Sequence, residues 1–411
     1  MTHPSPIPTE ALPRGFRFAA VKAGIKPSGK PDFAVAVAPR IASAAAMFTK
    51  NRVQAAPIVI GRRHLERSEG LVRAVVVNAG NANCATGEAG YRAAEQVCAA
   101  AAKTFGCEPH EVLPSSTGII GVPLPSEKLV AALPEVQRTL AATPEAFSEF
   151  ANAILTTDTR AKIAHTTMDV NGKQVRLAGV CKGAGMIHPQ LASATAPLHA
   201  TMLVYLFTDA ALHPTTLDRY LRAATEASFN RISIDGDTST NDTVLMLCSG
   251  ESGVDIWADD PDFEQALTDL CISLGKQIVG DGEGITHVVE LQIQGAASND
   301  DAVRVARAIA NSPLVKTAWA GTDPNWGRLL AAAGRSGADI DPARLAVWFG
   351  TLPICVNGGR APQYDEKAAH QYLTQREFSI RISLGDGPGC CRFWTSDLTA
   401  EYVRINAEYS T

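Results

Sequence analysis

Short apolar runs rich in β-branched residues alternate with longer segments of helical spacing along most of this 411-residue chain, and that alternation confines it to layered α/β packing. Residues 71–78 (LVRAVVVN) read as a buried strand, followed by a Gly/Asn cluster and by residues 91–105, whose Ala, Val and Cys positions suit a buried helix. Helical spacing recurs over 126–142, 144–155, 214–229, 261–279 and 300–310. Strand-like runs recur over 174–181, 202–208, 243–248, 287–293, 345–349 and 378–383. The stretch Thr322-Asp323-Pro324-Asn325-Trp326-Gly327-Arg328 predicts a helix with Pro324 at its first position, an end whose backbone amides suit an anion. No internal repeat interrupts the pattern.

Size and charge narrow the function classes. A 43.4 kDa chain buries enough surface to fold without disulfides or metals, in two or three structural units. A formal charge of −5 and the lack of any Lys/Arg run exclude a phosphate-binding groove, so nucleic acid is not an expected partner. No uninterrupted apolar run is long enough for a membrane helix, and residues 1–13 do not read as a signal peptide, so no membrane is expected and the reading is cytoplasmic. The nine cysteines include no C-x-x-C pair and mostly sit in apolar runs, which reads as reduced, packed thiols. The histidines show no ligand spacing, and no metal is expected.

The chemistry concentrates around Thr201. The run Cys181-Lys182-Gly183-Ala184-Gly185-Met186-Ile187 is followed by Ala200-Thr201-Met202-Leu203: a small residue, then a threonine opening an apolar run, near a lone lysine. A threonine hydroxyl is a weak nucleophile until a base takes its proton. The residue's own α-amine, once freed, has a pKa near 8 and can be that base. Attack of the hydroxyl on the Ala200 carbonyl would give an ester that water opens, leaving a new N-terminus at Thr201. Absent that chemistry, Thr201 is a β-branched residue opening a buried strand.

Pro114-Ser115-Ser116-Thr117-Gly118-Ile119-Ile120-Gly121 reads as a small-polar loop, either an ordinary turn or a site where backbone N–H groups approach an oxyanion. Residues 78–87, rich in Asn and Gly, read either as a functional loop or as a multiple-turn connection. Asp237 and Asp242 are expected to fix their own loop through local hydrogen bonds.

In these segments, and in Phe48-Thr49-Lys50-Asn51, Leu155-Thr156-Thr157-Asp158-Thr159, Ser228-Phe229-Asn230-Arg231-Ile232-Ser233, Asp235-Gly236-Asp237-Thr238-Ser239-Thr240-Asn241-Asp242, Asp281-Gly282-Glu283-Gly284 and Asn406 to Thr411, the chain resembles the ornithine acetyltransferases, self-processing enzymes of the cyclic arginine pathway. The likeness extends over nearly the whole sequence. It implies a layered α/β sandwich with an N-terminal threonine nucleophile, cut between Ala200 and Thr201 into an α chain (1–200) and a β chain (201–411). The two chains would stay together as a heterotetramer of two α and two β chains. The resemblance further implies Thr201 as the acetyl-carrying nucleophile and Thr117 with Gly118 as the oxyanion hole. Substrate contacts would come from Thr156, Lys182, Thr201, Glu283, Asn406 and Thr411.

The implied reaction moves an acetyl group from N2-acetylornithine to glutamate, giving ornithine and N-acetylglutamate, with no cofactor. Lys182 would face an α-carboxylate and Glu283 the cationic end of ornithine. Some members also take acetyl-CoA as donor, and no phosphate-binding glycine motif here decides that point. One departure concerns the scissile bond: the segment His188 to His199 is longer than the family's short linker and carries a second pair, Ala194-Thr195. The continuation M-L-V-Y-L-F-T-D-A favours Thr201 as the cleavage point. Because a displacement of about 1 Å costs about 10²-fold in such a reaction, an unprocessed, non-catalytic relative is one alternative. An N-terminal-threonine amidohydrolase or aminopeptidase, in which water takes the acyl group, is another.

Overall fold

The computed structural model describes residues 7–193 and 202–408. Its strands form two sheets. The first contains β1 (Arg17–Val21), β2 (Phe33–Thr49), β3 (Leu71–Asn81), β4 (Val112–Ile119), β5 (Lys162–Val170), β6 (Lys173–Lys182), β7 (Leu191–Ser193) and β8 (Leu203–Thr208). After the short β9 (Ile232–Ser233) of the second sheet, β10 (Thr243–Cys248) completes it. The strand order is β4-β3-β2-β10-β8-β6-β5, with β1 and β7 each paired to β2. The second sheet adds β11 (Val288–Ala296), β12 (Ala346–Phe349), β13 (Leu352–Val356), β14 (Gly359–Arg360), β15 (Glu377–Ser383) and β16 (Gly389–Ser396), in the order β14-β13-β12-β15-β11-β16-β9.

Both faces of the first sheet are covered, which is why its central strands read as continuous apolar runs. All six residues of β8 are buried, and they alternate between two cores. Leu203, Tyr205 and Phe207 join Phe16, Phe18, Phe147 and Phe150 on one side; Val204 and Leu206 meet the helices Pro214–Ala227 and Pro261–Val279 on the other. That second core reaches Ile232 and Trp394 of the second sheet, so the two helices tie the sheets together. The layered α/β packing predicted from the sequence is the packing found.

The cut predicted at 200/201 does not separate structural units. β8, which follows it, pairs antiparallel with β6 and parallel with β10, in the middle of a sheet whose other strands mostly precede it. Most helices and strands fall where periodicity puts them, with ends shifted by a few residues. β2 was not legible. It is Ala-rich and contains Pro39, and a register break between Val37 and Ala42 absorbs the proline against β3. Two local readings are corrected. The stretch from Pro114 to Gly121, read as a loop, belongs as far as Ile119 to β4, a strand parallel to β3. The helix after Thr322 runs Trp326–Gly334 with Asn325 as its cap, accepting from the Arg328 N–H, so Pro324 lies outside it. All nine cysteines are free, seven of them buried. Among the described residues no helix is long and apolar enough to cross a membrane.

Candidate active site

Three strand ends come level at one edge of the first sheet. Lys182 at the end of β6 is paired with Leu203 at the start of β8, and Leu203 is paired with Thr243 at the start of β10. Across the same end, Thr117 and Gly118 finish β4 beside Ala79 and Gly80 of β3. The result is a cavity of about 100 Å3 lined by Thr117, Gly118, Thr156, Lys182, Glu283 and Asn406, with Ala82, Ile120, Thr157, Gly185, Met186 and Ser239. Six positions singled out from the sequence, drawn from five separate segments, therefore converge. Ala200, Thr201 and Thr411 lie outside the described residues.

Thr117 is buried, and its Oγ1 accepts a 3.3 Å hydrogen bond from Lys182 Nζ. Lys182 is 5% exposed, so its ammonium is largely out of water without a carboxylate at ion-pair distance among the described residues. Such a cation is costly unless an anion completes it. Gly118 has φ +133°, and a Cβ there would stand 2.3 Å from the Gly80 carbonyl carbon. Only glycine lets β4 approach β3 this closely. Across the cavity, Glu283 Oε2 accepts from Asn406 Nδ2 at 3.0 Å, and the Glu283 N–H donates to Ala184 O. Gly185 leaves room for that carboxylate: a Cβ would sit 2.4 Å from Glu283 Oε2.

The Asn-rich stretch is scaffold. Asn78 Oδ1 accepts from Ser116 Oγ, Asn81 Oδ1 from the Asn83 N–H, and Asn83 Nδ2 donates to Gly90 O. Asn241 Nδ2 donates to both Ala82 O and Ser116 O, fastening this loop to the start of β10.

A buried ionic group behind the cavity was not legible as such. Lys162 Nζ reaches Asp158 Oδ1 at 2.6 Å and Asp281 Oδ2 at 2.5 Å, with all three side chains essentially out of solvent. Asp158 also accepts the N–H of Gly183 at 2.6 Å and of Thr156 at 3.2 Å. Although burial works against it, the neighbouring Lys162 and Lys182 cations and these hydrogen bonds hold the Asp158 carboxyl below the usual carboxylate range. Asp281 takes the Thr159 N–H and hydroxyl. One lysine thus joins the three segments that carry Thr156, Lys182 and Glu283. The motifs holding Asp158 and Asp281 stand out in the sequence, but their pairing needs Lys162, which lies in an unremarkable strand.

The expectation for Asp237 and Asp242 is corrected. Asp235 fixes the loop, accepting the N–H groups of Met186, Ile187 and Asp237 and the Tyr402 hydroxyl. Asp237 is exposed. Asp242 is fully buried, and among the described residues neither carboxylate oxygen has a hydrogen-bond partner.

With this geometry in hand, residues 17–411 match the ArgJ family. The chain belongs to the ArgJ family. It is 45% identical to the arginine biosynthesis bifunctional protein ArgJ of Thermus thermophilus, covering 97% of this chain and 99% of that one. Identity to the protein of the same description from Dehalococcoides mccartyi is 43%, covering 97% and 96%. The crystal structure of the Mycobacterium tuberculosis ornithine acetyltransferase complexed with ornithine is similar at 35% identity and a TM-score of 0.39, covering 44% of this chain and 95% of that one. As an ArgJ protein, this chain is an enzyme of arginine biosynthesis.

Proposed function

We infer that this ArgJ protein moves an acetyl group from N2-acetylornithine to glutamate through an acetyl-threonine intermediate on Thr201. The observation that carries the reading is the convergence of Thr117, Gly118, Thr156, Lys182, Glu283 and Asn406 on one small cavity at the sheet edge from which β8 starts. Thr201 is two residues before that strand. Cleavage after Ala200 frees its α-amine, giving the α chain 1–200 and the β chain 201–411. Because β8 lies between β6 and β10, the two chains remain associated, and two of each make the heterotetramer. The reaction belongs to the cytoplasm.

In the first half-reaction the Thr201 hydroxyl attacks the acetyl carbonyl and gives its proton to the α-amine. Thr117 and Gly118 face the oxyanion; such donors contribute about 2.7–4 kcal/mol each in acyl transfer. Collapse breaks the amide bond, and the departing ornithine nitrogen takes the proton. Glutamate's amine then attacks the threonine ester by the reverse path. Both substrates present an α-carboxylate, the anion that the desolvated Lys182 ammonium lacks. Glu283, oriented by Asn406, suits the cationic end of ornithine. Atoms and protons balance without a cofactor. Acetyl-CoA-dependent formation of N-acetylglutamate by the purified protein decides whether acetyl-CoA is a second donor.

The test is to mix enzyme with N2-acetylornithine in the absence of glutamate, quench in acid and map the added acetyl group. It is expected on the fragment that begins with Thr201. Turnover with the acetyl group elsewhere, or with none trapped and free acetate released, contradicts the reading.

A further inference from the structure

The last helix, Ala400–Glu408, has no buried residue, yet it brings Asn406 to the wall of the cavity. Most helical stability in proteins comes from packing an apolar face, so this helix is placed by something else. Polar ties do it. At its foot, Asp397 accepts the N–H groups of Thr286 at 2.9 Å and His287 at 3.1 Å. Thr399 caps the first turn, its Oγ1 accepting the Tyr402 N–H at 3.2 Å. The same hydroxyl donates to Gly284 O at 2.6 Å, one residue from Glu283. The approach there is close: a Cβ on Gly284 would stand 2.5 Å from Tyr402 N.

One turn further on, the Tyr402 hydroxyl donates to Asp235 Oδ2 at 3.3 Å. Asp235 also accepts the N–H groups of Met186 at 2.7 Å and Ile187 at 2.9 Å. It thereby holds Met186 at φ +57°, a left-handed conformation that side chains adopt at a cost. Met186 and Asn406 line the same cavity. One carboxyl group therefore joins the wall that carries Gly185 and Met186 to the helix that carries Asn406. Asn406 in turn uses both hydrogens of Nδ2, one on Tyr402 O at 3.0 Å and one on Glu283 Oε2 at 3.0 Å. A shift of Tyr402 is thus passed to Asn406 and on to the Glu283 carboxylate.

We propose that Tyr402 is a positioning residue for substrate specificity: its hydroxyl, tied to Asp235, holds the last helix so that Asn406 aims Glu283 at the cationic side chain of ornithine and N2-acetylornithine. This rests on the transferase reading above, in which Glu283 receives that cation. Tyr402 itself is not among the residues lining the cavity. Glutamate has no cationic side chain, so the tie serves one of the two substrates and leaves the other indifferent to it.

The test compares Tyr402→Phe, which keeps the ring and removes the tie, with Thr399→Val and Thr399→Ser, which remove and keep the second tie. In a double-displacement scheme each substrate has its own kcat/KM, so the two half-reactions are read separately. Tyr402→Phe is expected to lower kcat/KM for N2-acetylornithine by about 3- to 10-fold and to weaken ornithine binding, measured by calorimetry, by the same factor. Its kcat/KM for glutamate should keep the parental value. Thr399→Val should show the same selective loss, and Thr399→Ser should recover most of it. Because the helix has no buried residue, thermal midpoints should stay parental. Equal losses for both substrates, parental ornithine affinity in Tyr402→Phe, or a serine variant no better than valine overturns the proposal. A parent that does not transfer acetyl at all removes the transferase reading instead, and the calorimetric comparison still decides the role of Tyr402.

Discussion

Two regions of the first sheet are equally dry and do opposite jobs. At one end, Phe16, Phe18, Phe147, Phe150 and Phe207 pack edge to face, with Phe18 and Phe207 centroids 5.0 Å apart at 85°. At the other, Asp158, Lys162, Lys182 and Asp281 crowd behind the cavity. Aromatic burial stabilises the fold and asks little of geometry beyond good packing. Buried charge contributes little net stability and imposes strict geometry, because each ion needs a defined partner. The same strand, β8, starts in the ionic region and ends in the aromatic one. Aromatic packing and buried charge have thus been separated along one strand.

Four substitutions would break or sharpen that contrast. The largest effect is expected at Lys162→Met, which strands two buried carboxylates and should cost about 3–5 kcal/mol; denaturant unfolding measures it. The sign of its pH dependence follows from Asp158, whose folded-state carboxyl is held below its ordinary value of 3.8. The stabilisation is present above that pH and fades below it, so the gap between parent and variant should narrow on acidification. Catalysis by the folded fraction should fall too, since Thr156 and Gly183 lose a fixed acceptor.

Phe207→Ala should lose a similar amount of stability, about 3–5 kcal/mol, yet leave kcat of the folded protein unchanged. A matching loss of kcat would erase the division between the two regions. Gly118→Ala should do the reverse within the ionic region: its Cβ would collide with Gly80 and displace the end of β4. The expected cost is about 10²–10³-fold in kcat, measured by initial rates with both substrates saturating.

The smallest effect belongs to a third setting, the second sheet. Lys316 is buried against Thr395 and Ser396, and desolvation pulls its ammonium down to about 7. Between there and its ordinary value of 10.5 the unfolded chain binds the extra proton, so wild-type stability should rise with pH. Lys316→Met should flatten that slope. Thermal midpoints across pH 7 to 10.5 read it directly.

The sequence carried the layered architecture because β8 and β10 are buried on both faces and read as nearly unbroken apolar runs, with threonines only at their ends. It did not carry β2, where alanines of weak strand preference are held by pairing to β1, β3, β7 and β10. Gly118 and Glu283 stood out through the family resemblance, since their glycine contexts alone also fit ordinary turns; both line the cavity, and the backbone approach at Gly118 tolerates nothing larger. The surroundings of Lys162 and Asp242 were not legible. A buried lysine looks like any strand lysine until its partners fold onto it, and the isolation of Asp242 exists only in three dimensions.

The central claim is that the hydroxyl of Thr201 becomes reactive when its own nitrogen is released. Intact mass spectrometry of the purified, denatured protein tests this most directly. Two fragments, one ending at Ala200 and one beginning at Thr201, are predicted, together with a Thr201→Ala variant that stays whole at 43.4 kDa and transfers no acetyl group. A wild-type chain that remains uncut while transferring acetyl at full rate would contradict the account.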